Sequence, residues 1–158
     1  MSFPKNSIPV IVAGALGRMG AEVIRAVKAS KDCNLIAAID TERDKEGIDI
    51  GNALNMESLG VLVSSDFESS VCAASQGISN NEDTGSQDKA VLVDFTHPSV
   101  AFKHTRTAIA YGVHPVIGTT GLSSEQIDEL IGFSLKASVG GAVIPNFSVG
   151  MVLLQQAS

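Results

Sequence analysis

Tryptophan is absent from the 158 residues, and aromatic residues together make up only 4% of the chain. A core must therefore be assembled from Val, Ile, Leu and Ala, an aliphatic bias that suits buried parallel strands. Cysteine is nearly as scarce. Cys33 and Cys72 stand in unrelated segments without the spacing of a zinc site, and are expected to be reduced thiols of a cytoplasmic protein. No basic block occurs and the formal net charge is −6, which excludes a phosphate-tracking surface for nucleic acid. The three histidines are dispersed and no serine sits in a nucleophile elbow, so neither a metal cluster nor a catalytic triad is expected. Long apolar runs are missing too. Nothing in MSFPKNSIPV or later has the length of a membrane span or a signal peptide, and neither is expected.

What the chain does have is alternation. With 44% hydrophobic residues it is globular in composition, and its length fits one domain on a prior of roughly 150 residues each. Apolar runs read as strands at Ile8 to Ala13, Leu35 to Ile39, Gly60 to Val63 (the weakest), Ala90 to Phe95, His114 to Ile117 and Ala142 to Ile144. Helical spacing of Met19, Val23, Ala26 and Val27 predicts a helix over Gly17 to Ser30. Further helices are predicted over Asp66 to Ala74 with Asp66 as cap, after Pro98, and over Ser123 to Ala137. Ser123 and Gln126 match a capping box. The polar stretch from Gln76 to Lys89 reads as a mobile surface loop. This pattern predicts an α/β fold of the Rossmann-like, doubly wound kind with a mostly parallel sheet. Ligands of such sheets bind beyond the carboxyl ends of the strands.

Beyond the first strand lies GALGRMG, with Gly14, Gly17 and Gly20 spaced as G-x-x-G-x-x-G. A sharp turn at Gly14, an unobstructed backbone at Gly17 and close helix packing at Gly20 are what a pyrophosphate site between strand and helix requires. The helix N-terminus adds about half a positive charge. Asp40 follows the second strand about 20 residues later, where an acid can accept hydrogen bonds from the adenosine ribose. The same acid repels a 2′-phosphate, whereas Arg18 and Arg43 lie close enough in sequence to partner one or to be plain surface charges. The expected cofactor is accordingly NADPH or NADH.

Four motifs then occur in order: VAGALGRMG at 12–20, VDFTHPSV at 93–100, IGTTGLS at 117–123 and PNFSVGM at 145–151. Together they resemble the dihydrodipicolinate reductase family of lysine biosynthesis. That resemblance implies an N-terminal dinucleotide domain at residues 1–145, followed at 146–158 by the hinge and start of a second domain that binds a dicarboxylate substrate and builds a homotetramer. It implies cofactor contacts at Gly14, Ala15, Gly17, Arg18, Met19 and Gly20, and at Phe95, Thr96 and His97 near the nicotinamide ribose. Gly118, Thr119 and Thr120 would lie near the nicotinamide carboxamide, with Thr120 and Gly121 near a substrate carboxylate. Asn146, Phe147 and Ser148 would form the hinge, with Phe147 beside the nicotinamide. Each assignment has a plainer rival: GTTG is also a turn, Phe95 also core, and His97 also an exposed loop residue. His104 and His114 are expected to be structural.

The family's second domain carries adjacent histidines, a lysine and a D-A-P-S-G-T segment, none of which stands in this sequence. The chain therefore reads as a fragment: a cofactor-binding half expected to bind NAD(P)H weakly, to turn over little alone and to form no tetramer. Competing readings are the first half of another two-domain dehydrogenase, such as an aspartate or homoserine dehydrogenase, and a non-catalytic NAD(P)-binding module.

Overall fold

The computed structural model describes residues 7–79 and 89–144. Six parallel strands form one sheet: β1 (Ile8–Ala13), β2 (Cys33–Ile39), β3 (Val63–Ser64), β4 (Val91–Asp94), β5 (His114–Ile117) and β6 (Ala142–Val143). Their spatial order is β3-β2-β1-β4-β5-β6. The chain leaves β1 for one edge and returns at β4 to fill the other, so β1 and β4 are central neighbours with diverging connections. This is the topological switch point at which open α/β sheets bind ligands.

The side-chain alternation of β1 explains the two layers. Val10 and Val12 point to one face and pack with Ile24 and Val27 of α1 (Arg18–Ala29) and Ile50 of α2 (Ile50–Ala53). Ile11 and Ala13 point to the other, toward Val71 of α3 (Phe67–Ser79) and Ala108 of α4 (Pro98–Ala110). A third cluster, Ile109, Ile117, Leu130 and Val139, seats α5 (Ser124–Ala137) against α4 and β5. Ile24 is wholly buried, so its truncation to Ala would cost about 2–5 kcal/mol.

Most predicted elements stand within a residue or two of their expected limits. Gly17 and Ser30 cap α1 rather than belong to it. Both arms of the expected capping box are made, Gln126 N–H donating to Ser123 Oγ at 3.2 Å and Ser123 N–H to Gln126 Oε1 at 2.9 Å. Asp66 caps α3 through Ser69 N–H at 3.0 Å.

Two expectations need correction. The third strand lies at Val63–Ser64 because residues 60–62 serve another purpose. Leu62 bridges Asp49 in antiparallel fashion, and Ile50 N–H donates to the Val61 carbonyl at 2.8 Å, tying down an excursion that contains α2. Helix α3 runs through Ser79, so Gln76 to Ser79 are helical rather than loop. Phe67, Val71, Ala74 and Ile78 recur at helical intervals, and Ile78 continues a pattern that the polar composition around it obscured. Residues 80–88 lie outside the described part.

Candidate functional site

Gly14 leaves β1 with φ +77°, a conformation that favours glycine. A Cβ there would stand 2.8 Å from the Phe95 carbonyl oxygen, so the turn is pressed against the loop beyond β4. The amides of Gly14 and Ala15 donate to the Ile39 carbonyl at 2.9 and 3.1 Å, which fastens the same turn to β2. Gly20 lies in the first turn of α1, and a Cβ on it would lie 2.0 Å from the Gly14 carbonyl oxygen. The helix thus starts as close to the strand end as backbone atoms permit.

Gly17 is the N-cap of α1 and has no side chain to offer it. Helix geometry leaves the first-turn amides without intrahelical acceptors, and no side chain caps them. Gly17, Arg18 and Met19 are exposed, whereas Ala15 is buried and serves as packing. Exposed, uncapped donors at a helix N-terminus, reached over a residue without Cβ, fit a pyrophosphate. A Cβ on Gly17 would approach only the Gly14 carbonyl oxygen, at 3.2 Å, so the side from which an anion would arrive is open.

Asp40 follows β2 and is half-buried. Its Oδ2 accepts the Leu16 amide at 2.8 Å, and its Oδ1 the Glu42 amide at 3.3 Å. The acid therefore braces the glycine turn, a duty that spacing alone did not reveal. A carboxylate offers about four lone-pair sites, so acceptor capacity remains for ribose hydroxyls. Arg18 opens α1 and Arg43 opens a short 3-10 turn past Asp40; both are exposed.

The loop beyond β4 is organised by Asp94, a carboxylate with no solvent exposure. Its Oδ1 accepts the Thr96 amide at 2.8 Å and the Thr96 hydroxyl at 2.5 Å, and its Oδ2 faces Nδ1 of His104 at 3.0 Å. Phe95 is half-buried, and its ring fills the space above Gly118, where a Cβ would come within 2.2 Å of Cε1. Exposed His97 is the N-cap of α4, its Nδ1 accepting from the Ser99 amide at 3.3 Å. That bond places the proton of a neutral ring on Nε2, which remains a donor.

The GTTG segment divides in two. Gly118 N–H donates to the Asp94 carbonyl at 2.9 Å, and buried Thr119 turns its hydroxyl inward to the Thr96 carbonyl at 2.9 Å. Thr120 and Gly121 are exposed, and Gly121 has φ +98° beside Pro98. The structure thus brings Gly14 to Gly20, Asp40, Phe95 to His97 and Gly118 to Gly121 to one end of the sheet. Asn146, Phe147 and Ser148 lie outside the described residues. Asp94 and His104 were the residues missed as a pair. The available signal was an acid closing an otherwise apolar run, which needs buried partners.

A cavity of about 420 Å³ lies elsewhere, lined by Ile109, Leu130, Ile131, Leu135 and Val143 among others on the flank of α5 and β6. It shares no residue with the strand-end cluster and is almost wholly apolar, so it does not compete as a dinucleotide site. Among the described residues no group of three or more His, Cys, Asp or Glu could hold a metal ion, and no helix is long and apolar enough to cross a membrane.

Residues 8–147 match the family described as Dihydrodipicolinate reductase, N-terminus. Over 158 residues, all of this chain, there is 62% identity to the 4-hydroxy-tetrahydrodipicolinate reductase of Prochlorococcus marinus (strain NATL2A), 55% of which is covered. Identity to the reductase of the same name from Synechococcus sp. (strain CC9605) is 66% over 151 residues, 96% of this chain and 53% of that one. The dipicolinate-bound dihydrodipicolinate reductase from Paenisporosarcina sp. TG-14 is similar in structure, with a TM-score of 0.70 and 28% identity over 96% of this chain and 52% of that one. GenD2 from gentamicin A biosynthesis, solved with NAD, has a TM-score of 0.67 at 16% identity, over 99% of this chain and 40% of its own, and so shares the fold. The chain spans about half the length of the curated relatives it matches.

Proposed function

Because the chain belongs to the dihydrodipicolinate reductase family, we propose that it forms the NAD(P)H-binding half of an oxidoreductase that reduces a dihydrodipicolinate-type substrate to tetrahydrodipicolinate in lysine biosynthesis. The observation that carries this reading is the glycine turn. Uncapped amides at the start of α1, held against β1 by the Gly20 approach and braced by Asp40, form an anion cradle at the switch point of the sheet.

The pyrophosphate lies over Gly17 to Gly20, and the adenosine ribose meets the free lone pairs of Asp40. Arg18 and Arg43 answer a 2′-phosphate when NADPH binds, and Asp40 answers the 2′-hydroxyl of NADH. The nicotinamide half extends past Phe95, Thr96 and His97 toward Gly118, Thr119 and Thr120. Two of these residues act through the backbone or through packing, since the Thr119 hydroxyl and the Phe95 ring are already engaged within the protein. Exposed Thr120 and Gly121 offer a hydroxyl and an amide to one substrate carboxylate. The bound dinucleotide supplies a hydride. The proton and the second carboxylate contact come from the domain that residues 146–158 begin, which also builds the homotetramer. The enzyme works in the cytoplasm.

Isotope-labelled chain titrated with NADH and NADPH tests the placement. Amide shifts are expected at Gly17 to Gly20, Asp40, Thr96, His97 and Gly118 to Gly121. Saturable shifts confined to the α5–β6 flank, or none in a chain whose spectrum is folded, would refute the assignment.

A further inference from the structure

Asp94 and His104 have no part in the proposed contacts, yet both loops of the nicotinamide side depend on them. Asp94 receives three donors: the Thr96 amide, the Thr96 hydroxyl and His104 Nδ1. Thr96 Oγ1 also lies 3.4 Å from His104 Nδ1, closing a triangle. The Thr96 carbonyl then accepts the Thr119 hydroxyl, while the Asp94 carbonyl accepts the Gly118 amide. Thus one carboxylate sets the loop beyond β4, and through Thr96 and its own carbonyl the loop beyond β5. His104 is fixed in turn. Its ring stacks on Phe67 of α3 with centroids 3.9 Å apart and planes 6° from parallel, which aims Nδ1 at Asp94.

A fully buried carboxylate is a poor way to fill space, because an apolar side chain of similar volume serves stability as well or better. What the charge adds is direction: three donors converge on it from two elements, and every one is fixed in orientation. We propose that Asp94 and His104 are a positioning pair that sets the two loops facing the nicotinamide half of the dinucleotide, and that Phe67 holds the pair in register from α3. This rests on the cofactor site proposed above. The pair touches neither cofactor nor substrate and acts through Thr96 and Thr119.

The test compares His104→Leu with His104→Asn in the whole chain, reading amide shifts of the unliganded protein and affinities for NADH and for ADP. Asparagine keeps a donor close to the Nδ1 position; leucine leaves Asp94 Oδ2 without one. In H104L the amides of Thr96, Gly118, Thr119 and Thr120 should shift. NADH binding should weaken about tenfold, the equivalent of one lost charge-assisted hydrogen bond, while ADP, which reaches only the glycine turn and Asp40, should bind as to the parent. H104N should restore both the shifts and most of the NADH affinity. Equal losses for NADH and ADP would reduce the pair to general scaffolding and overturn the proposal, as would failure of H104N to rescue. Should the parent chain bind neither nucleotide, the cofactor assignment falls, and the unliganded amides alone decide the pair. Unmoved Gly118 to Thr120 signals in H104L would then overturn it, and moved signals restored by H104N would uphold the coupling of the two loops.

Discussion

Gly20→Ala is the most severe small perturbation that the strand-end cluster admits. The added methyl would lie 2.0 Å from the Gly14 carbonyl oxygen, 2.8 Å from its carbon and 3.0 Å from the Ala15 Cα. All three are backbone atoms, so no rotamer relieves the clash. Restoring an ordinary contact of 3.4 Å moves the start of α1 away by about 1.4 Å. Behind it stand Ile24 and Val27, buried against Val10 and Val12, and their packing opens with the helix. Overpacking of this kind costs about 3 kcal/mol, the upper part of the usual range, because the obstruction cannot rotate away. At ~2–4 °C per kcal/mol for a chain of this size, the melting temperature should fall by about 10 °C. Gly132→Ala is the matched control. It lies within α5, a Cβ there meets nothing within 4 Å, and it should stabilise by about 0.5–1 kcal/mol. Thermal unfolding followed by circular dichroism reads both. A G20A melting temperature within a degree or two of the parent would refute the account of why the helix begins where it does.

Two further outcomes follow from other contacts. Gly118→Ala sets a Cβ 2.2 Å from the Phe95 ring, so it should destabilise the parent by more than it destabilises a Phe95→Leu background. A double-mutant cycle should give a coupling of about 0.5–3 kcal/mol, and strict additivity would contradict the packing described. Asp49 reports on the excursion between β2 and β3. Desolvation alone would raise its carboxyl, but hydrogen bonds from the Leu59 and Asn52 amides, the Ser58 hydroxyl and the Gly60 amide outweigh that and hold it below its ordinary value of 3.8. A lowered carboxyl contributes stability above its unfolded value that is lost as pH falls through the folded one. The melting-temperature gap between parent and Asp49→Asn should therefore be widest near neutrality and close below about pH 4. A gap that is constant with pH would contradict the assignment.

How much of this was legible in the sequence varies by residue, and the reasons are physical. The glycine turn was readable because its demands are local: a positive φ at Gly14 and a missing Cβ at Gly20 permit almost no other residue. The parallel, doubly wound character of the sheet followed from the alternation of strands and helices, and the capping box at Ser123 and Gln126 from one four-residue pattern. Asp40 was visible by its distance from the glycines, but its bond to the Leu16 amide depends on how β2 aligns with β1. Thr119 and Thr120 are indistinguishable in sequence. Only the direction in which the chain leaves β5 decides that the first is buried and the second exposed. His97 shows the same limit, since a histidine before Pro-Ser can cap or contact a ligand, and the cap appears only once α4 starts at Pro98. The excursion around Asp49 was not legible because α2 is only four residues long, too short for a helical period, and because hydrogen bonds from backbone amides to one side chain hold it together with buried Ile50.

The most direct test of the central claim is calorimetric titration of the chain with NADH and with NADPH, beside an Asp40→Ala variant. The account predicts saturable binding by the parent. In the variant NADH should bind about 10–100-fold more weakly, as expected when hydrogen bonds to a charged group are lost, with NADPH affected less because the variant also removes the charge nearest its 2′-phosphate. A folded parent that binds neither nucleotide, or a variant that binds both as the parent does, would contradict it.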